Sequence, residues 1–232
     1  FFVDEMLKKK NETIKGKKVM ISGSGNVAQY AIEKTLAFGG IPITASDSNG
    51  FIYDAKGIDA GKLAYLMELK NVKRGRISEY AETFGCKYFE NEKPWKIPCD
   101  VALPCAVQNE LDKEDALQLV ANGCKLVAEG ANMPTTPEAI LILQKNNVLY
   151  APGKATNAGG VATSGLEMSQ NSIRMYWTRE EVESRLRVIM QKIHEQCIEY
   201  GKNKDGSIDY VKGANIAGFV RVADAMLAEG HV

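Results

Sequence analysis

The residues Gly23-Ser24-Gly25-Asn26-Val27-Ala28 and, about twenty positions further on, Asp47 have the types and spacing that could hold a diphosphate and the sugar beside it. Gly23 permits a tight turn, Gly25 lets the backbone approach a pyrophosphate with no Cβ in the way, and Ala28 keeps the next segment close to whatever it packs on. If that segment is a helix, its first N–H groups and the positive end of its dipole face the phosphates, worth about 0.3–1 kcal/mol per charge at an exposed site. A carboxylate at Asp47 could accept hydrogen bonds from an adenosine ribose. The alternative is a glycine turn that holds no ligand, so the flanking elements decide.

Those elements fit. An apolar run from Val19 to Ile21 reads as a strand, the glycine turn follows, and Val27, Ala31, Ala37 and Phe38 can share one helix face. Gly39-Gly40 stop the helix, and a second strand from Ile41 to Ala45 carries Asp47 at its tip. Upstream, Asp4 to Lys10 reads as the end of a helix broken by Asn11 and Gly16. Downstream, Asn49-Gly50 marks a turn, and Asp59 is a candidate N-cap for a helix through Lys70 that buries Leu63, Leu66, Met67 and Leu69. Lys70, Lys73, Arg74 and Arg76 form a basic cluster, which on composition alone is a solvated face. A helix from Ile77 to Gly85, a strand at Cys86 to Phe89, a loop at Pro94-Trp95 and a buried strand at Cys99 to Leu103 come next. A helix over Asn109 to Val120, a strand at Lys125 to Ala128, a capping box from Thr135 to Glu138 with Pro137 in the first turn, and a strand at Val148 to Tyr150 complete the alternation.

Short apolar strands alternating with helices predict an α/β fold, a doubly wound, Rossmann-like, mostly parallel sheet. Right-handed crossovers would gather the loops after its strands on one edge, where ligands bind. The loops starting at Pro104, Glu129 and Pro152 carry small residues and amides, with no His to act as a proton carrier. From Val161 the pattern is helical, with Ser164 in its first turns. A capping box at Thr178 to Glu181 starts a long helix to about Tyr200, a polar loop runs from Gly201 to Ser207, and Ala214 to Ala228 closes as an Ala-rich helix. These helices exceed what one sheet needs and predict packing against another domain or subunit.

Lysine plus arginine and aspartate plus glutamate both number 29 in 232 residues, so no net field draws the chain to nucleic acid or an anionic membrane. No run of about 18 apolar residues suggests a membrane span, and Phe1-Phe2-Val3-Asp4 lacks the order of a signal peptide, which points to the cytoplasm. The five cysteines, Cys86, Cys99, Cys105, Cys124 and Cys197, form no C-x-x-C pair and read as reduced, mostly buried thiols. His194 and His231 are too far apart for a shared metal site, and both read as solvated or packing residues; no metal is expected.

Five strings, GSGNVAQYAIEK, NEKPWKIPCDVALPCAVQNELD, EGANMPTT, APGKATNAGGVATSGLEMSQNS and GANIAGFVRVADAM, resemble the nucleotide-binding half of the hexameric glutamate dehydrogenases. The likeness covers essentially the whole chain. It implies reversible oxidative deamination of L-glutamate to 2-oxoglutarate and ammonia with hydride transfer to NADP, by a homohexamer. In that family a separate N-terminal domain supplies the catalytic lysine and aspartate, so the resemblance puts no catalytic residue in this chain. It implies that residues 1–15 end a linker helix from that substrate domain, that 16–200 form the dinucleotide-binding domain, and that 201–232 pack towards the substrate domain.

Residue by residue, the resemblance places Gly23, Ser24, Gly25, Asn26 and Val27 at the diphosphate. Ala106, Gln108 and Asn132 would lie beside the nicotinamide ribose and ring, Asn157 near the carboxamide, and Ser164 would reach the substrate carboxylate. Relatives often carry threonine where this chain has Val107, which removes one hydroxyl from the nicotinamide side. Asp47 by itself reads as an NAD residue, because a carboxylate repels a 2′-phosphate. Ser46-Asp47-Ser48 instead resembles the NADP branch, with Ser48, Lys70, Lys73 and Arg76 around the phosphate. The expectation is NADP, with NAD or dual use as the alternative. Two rival readings are a related branched-chain or aromatic amino-acid dehydrogenase and a nucleotide-binding module without activity of its own.

Overall fold

A computed structural model describes residues 1–230, so His231 lies outside the described residues. The chain divides into two units, one of Glu12–Gly153 and one formed by Phe1–Asn11 with the segment from Lys154 onward.

The Glu12–Gly153 unit opens with β1 (Lys18–Ile21), whose Val19, Met20 and Ile21 are fully buried, followed by α2 (Asn26–Ala37), where α1 (Phe2–Lys8) belongs to the other unit. The buried face of α2 is Ala28, Ile32 and Thr35, an i, i+4, i+7 stripe, with Gln29 beside it. The face expected from Val27, Ala31, Ala37 and Phe38 is therefore wrong. Val27 and Ala37 face solvent, and the small Ala28 is what lets the helix lie close to the sheet.

The expected second strand divides into β2 (Ile41–Pro42), parallel to β1, and β3 (Thr44–Asp47), which forms an antiparallel hairpin with β4 (Gly50–Tyr53). Where β3 leaves the parallel ladder, hydroxyls complete it. Thr44 Oγ1 lies 2.9 Å from both Ile21 N and Ile21 O, and Ser46 Oγ accepts from Gly23 N at 2.7 Å. β5 (Lys87–Glu90) adds to β4, so the Cys86 to Phe89 strand joins a second, antiparallel sheet of order β3-β4-β5.

Asp59 caps α3 (Ala60–Met67) as expected, its Oδ1 accepting from Lys62 N at 2.9 Å. The helix does not run to Lys70 as an α-helix; it widens into a π turn, Glu68–Val72. α4 (Ile77–Phe84) ends on Gly85 in the left-handed conformation. A 3₁₀ turn at Pro94–Lys96 replaces the expected loop and buries Trp95.

β6 (Val101–Leu103), β7 (Leu126–Ala128) and β8 (Leu149–Ala151) finish the five-stranded parallel sheet, order β2-β1-β6-β7-β8. α5 (Lys113–Ala121) starts four residues later than the pattern suggests. Asn109 sits at φ +57 and Leu111 bridges to Thr135, so the chain cannot turn helical until Asp112 caps it. α6 (Pro137–Lys145) is capped by Thr136, one residue beyond the expected Thr135.

At the unit boundary α7 (Gly153–Thr156) begins, so helix starts earlier than Val161. The second unit then holds α8 (Ala158–Ile173), α9 (Arg179–Gly201) and α10 (Tyr210–Glu229) with α1. The Thr178 box starts α9 as expected, Glu181 Oε2 accepting from Thr178 N at 2.7 Å. α9 and α10 approach backbone to backbone, since a Cβ on Gly213 would lie 2.0 Å from the carbonyl oxygen of Cys197. Phe2 packs edge-on to His194 at 5.1 Å, and His194 Nε2 meets Tyr210 Oη at 3.0 Å, so His194 is a packing residue. No helix among the described residues is long and apolar enough to cross a membrane, and no cluster of three or more of their His, Cys, Asp and Glu side chains is placed to hold a metal.

Candidate functional site

The strand order reverses between β1 and β6: the chain leaves β1 towards β2 on one side and returns to β6 on the other. The crevice beyond their carboxyl ends is where such a sheet binds ligands. A cleft of about 530 Å³ opens there, lined by Gly23 to Val27 after β1, Ser46 to Ser48 at the end of β3, and Cys105 to Val107 after β6.

The first wall is the glycine turn. Gly23 adopts φ +83, and a Cβ on it would meet the Cys105 carbonyl oxygen at 2.9 Å, so the turn and the close approach of the β6 loop both require glycine. Gly25 is different. It is the N-cap of α2 at φ −83, makes no side-chain cap, and has nothing within 4 Å of the place a Cβ would occupy. Its bare backbone and the first N–H groups of α2 leave room for an anion.

The second wall holds the acid and the cations. Asp47 Oδ1 accepts from Asn49 N at 2.9 Å, and Oδ2 accepts from Ile77 N, the first residue of α4, at 3.0 Å. Lys70 Nζ stands 3.5 Å from Oδ2 and donates to Gly75 O at 2.8 Å. The carboxylate is only 8% exposed and much of its charge is already answered by backbone N–H groups and a cation. Beside it, Arg76 Nη1 donates to Ser48 Oγ at 2.9 Å. Lys73 instead pairs with Glu68 at 3.0 Å.

The third wall comes from β6. Ser22 Oγ accepts from Cys105 N at 2.8 Å, stitching the ends of β1 and β6 together, and Glu110 Oε1 accepts from Ala106 N at 2.9 Å. Burial raises the Glu110 carboxyl above its ordinary range, opposed by the Ala106 N–H, the Ser22 hydroxyl and the Val107 N–H. Burial likewise pushes the Cys105 thiol up, so it offers no thiolate nucleophile. The next loop is laced on by its backbone: Gly130 N and Ala131 N donate to Pro104 O at 2.8 and 3.0 Å, and Asn109 N donates to Met133 O at 2.9 Å.

Of the residues expected from sequence, Gly23, Ser24, Gly25, Asn26, Val27, Asp47, Ser48 and Ala106 line one cleft, as does Val107. Lys70 borders it through Asp47. Gln108 and Asn132 are exposed on the two laced loops and do not line it. Asn157 and Ser164 belong to the other unit, where Asn157 precedes α8 and Ser164 Oγ is 3.4 Å from Gly160 O. Sequence reasoning missed Ser22, whose partner Cys105 is distant in the chain, and Glu110, and it did not foresee that Ser46 braces the glycine turn through Gly23 N. With neither a histidine nor an unengaged carboxylate among its lining residues, this cleft is equipped to bind and orient a ligand; proton transfer would need groups from elsewhere.

A family model described as Glutamate/Leucine/Phenylalanine/Valine dehydrogenase matches residues 1–230. The NAD(P)-specific glutamate dehydrogenase of Xylanibacter ruminicola is 61% identical over 230 residues, 99% of this chain and 52% of that protein. The NADP-specific glutamate dehydrogenase of Escherichia coli (strain K12) is 56% identical over 232 residues, covering all of this chain and 52% of that one. Among solved structures, glutamate dehydrogenase 2 of Plasmodium falciparum superposes with a TM-score of 0.96 at 50% identity, covering 100% of this chain and 51% of that chain. The chain thus spans about half the length of the relatives it matches.

Proposed function

The chain belongs to the glutamate/leucine/phenylalanine/valine dehydrogenase family, and on that footing we propose that it is the nucleotide-binding half of a glutamate dehydrogenase that uses NADP. When bound, the nicotinamide nucleotide supplies hydride exchange with the α-carbon of L-glutamate or 2-oxoglutarate, ammonia being the other partner. The residues here fit such a group. Gly25 and the first turn of α2 would hold the diphosphate, where the uncapped helix start and the open space over Gly25 leave backbone N–H groups for it. Ser48, Arg76 and Lys70 would hold the 2′-phosphate, and Ala106, with the loops carrying Gln108 and Asn132, would orient the nicotinamide end. Asn157 and Ser164 are assigned, by the family resemblance, to the carboxamide and the substrate carboxylate.

One observation carries the choice of NADP: Asp47, the acid at the end of β3, is spent on Ile77 N and Lys70, while the neighbouring hydroxyl of Ser48 carries an arginine. A carboxylate left facing the ribose would oppose a second phosphate; one engaged this way does not. The name of the Escherichia coli relative, NADP-specific, supports the same reading, and that of the Xylanibacter ruminicola relative, NAD(P)-specific, is compatible with it. We further propose a substrate half joined through a linker helix that ends in residues 1–15, which brings the proton-transfer groups, closure of the two halves over the cleft, and assembly as a cytoplasmic homohexamer. The exposed Phe219, Val222 and Leu227 of α10 suit packing of this helix on that substrate half. Titrating NADPH and NADH against the chain tests the cofactor, with tighter NADPH binding expected and tighter NADH binding overturning it. Glutamate oxidation should appear only when the chain is joined to its substrate half.

A further inference from the structure

We propose that Asn71, through a reciprocal amide pair with Gln29, is a positioning residue that sets how well this cleft distinguishes a 2′-phosphorylated dinucleotide from one without that phosphate; this rests on the NADP reading above. Gln29, in the first turns of α2, is buried to 1% exposure. Its Nε2 donates to Ser24 O at 2.8 Å and to Asn71 Oδ1 at 3.0 Å, and Asn71 Nδ2 donates back to Gln29 Oε1 at 3.0 Å. One side-chain pair therefore joins the glycine turn to the segment that carries Lys70.

That segment is unusual. α3 opens into the π turn, with Lys73 N donating to Glu68 O at 3.1 Å and Gly75 N to Leu69 O at 2.9 Å. Single π turns inside helices are rare and gather at functional sites. Here the widening ends in a loop whose Gly75 carbonyl receives Lys70 Nζ, 2.8 Å away, with the ammonium 3.5 Å from Asp47 Oδ2 at the edge of the cleft. Leu69 pins the turn to the core, whereas Val72 is 74% exposed and anchors nothing. The amide pair is a polar link from this turn to α2.

The diphosphate and 2′-phosphate ends of an adenosine nucleotide would thus rest on two segments far apart in sequence, and the Gln29–Asn71 pair fixes their spacing. Without the Asn71 amide, Gln29 still bonds Ser24 O, so the diphosphate end keeps its anchor while the Lys70 end loses one.

The test is a cycle on the 232-residue chain with Asn71→Ala, Lys70→Ala and the double variant, using NADPH and NADH fluorescence as probes. Asn71 is exposed, and a thermal melt of each variant checks that the fold is kept. Asn71→Ala is expected to raise the ratio of the NADPH to the NADH dissociation constant about tenfold, the scale of one charge-assisted hydrogen bond. If Asn71 acts through Lys70, the double variant should discriminate no worse than Lys70→Ala alone. Both affinities falling in step, an unchanged ratio, or full additivity of the two substitutions would overturn the proposal. An unmutated chain that binds neither nucleotide would sink the NADP reading itself and this proposal with it, and that failure would be visible before any variant is made.

Discussion

Gly23 and Gly25 look alike in the sequence and carry different loads. Gly23 is held by the fold: its φ is +83 and its missing Cβ makes room for the Cys105 carbonyl, so Gly23→Ala should cost about 1–3 kcal/mol of stability. Gly25 has open space around it and an ordinary φ, so a larger side chain there should leave the thermal midpoint where it is and remove nucleotide binding by covering the phosphate seat. Calorimetry and a nucleotide titration on Gly23→Ala and Gly25→Leu check the pair, and normal binding by Gly25→Leu would take the diphosphate away from this turn. Glu110 offers a pH test at the same scale. Its folded carboxyl titrates above its unfolded value near 4.5, chiefly through burial, so between those two values the folded state holds a proton the unfolded state has lost. Its contribution to stability therefore falls as pH rises through that window. Glu110→Gln keeps an acceptor for Ala106 N and should flatten that part of the stability profile relative to the parent; identical profiles would mean that Glu110 titrates as it does in the unfolded chain.

At the scale of elements, local signals were legible and long-range ones were not. Asp59 as a cap, Gly85 as a stop and the Thr178–Glu181 box could each be read from neighbours within one helical turn, and each stands where expected. The strand–turn–helix around Gly23 was legible for the same reason. The hairpin at Gly50–Tyr53 was not, because four residues give too little alternation and its other partner, Lys87–Glu90, lies beyond two helices. Asp47 is the instructive case. Its position was right and its part in the fold was hidden, since Ile77 N belongs to another helix and only folding brings it to 3.0 Å. Asp47 is therefore a joint between β3 and α4. Removing it as Asp47→Ala should cost about 0.5–2 kcal/mol, as loss of a helix-start acceptor does, and should not tighten NADP even though a negative charge is gone. Denaturant melts with parallel titrations would settle this, and a variant of parental stability that gained NADP affinity would return Asp47 to the role of a ribose-facing acid.

At the scale of the whole molecule, the two units have different acid sensitivities built into them. In the helical unit His194 is packed between Phe2 and Tyr210, with ring centroids 5.1 and 5.5 Å away, and its Nε2 is committed to Tyr210 Oη. Burial lowers its folded basicity below the ordinary value of 6.5; Glu5 and Glu195 pull the other way and Lys9 adds to the lowering. Below that value the unfolded chain binds a proton that the folded unit refuses, so stability falls as pH drops from 6.5 towards the folded titration point and is fully present above it. His194→Gln can still meet the Tyr210 hydroxyl but cannot take up that proton. It should melt lower than the parent at pH 7.5, having lost the ring packing, and the gap should narrow at pH 5.5. Thermal melts of both proteins at the two pH values supply the comparison, because the carboxylates common to both cancel. A gap that stayed constant or widened on acidification would mean that His194 charges freely in the folded unit, and the packing of α1 against α9 would then have to tolerate a cation beside Phe2.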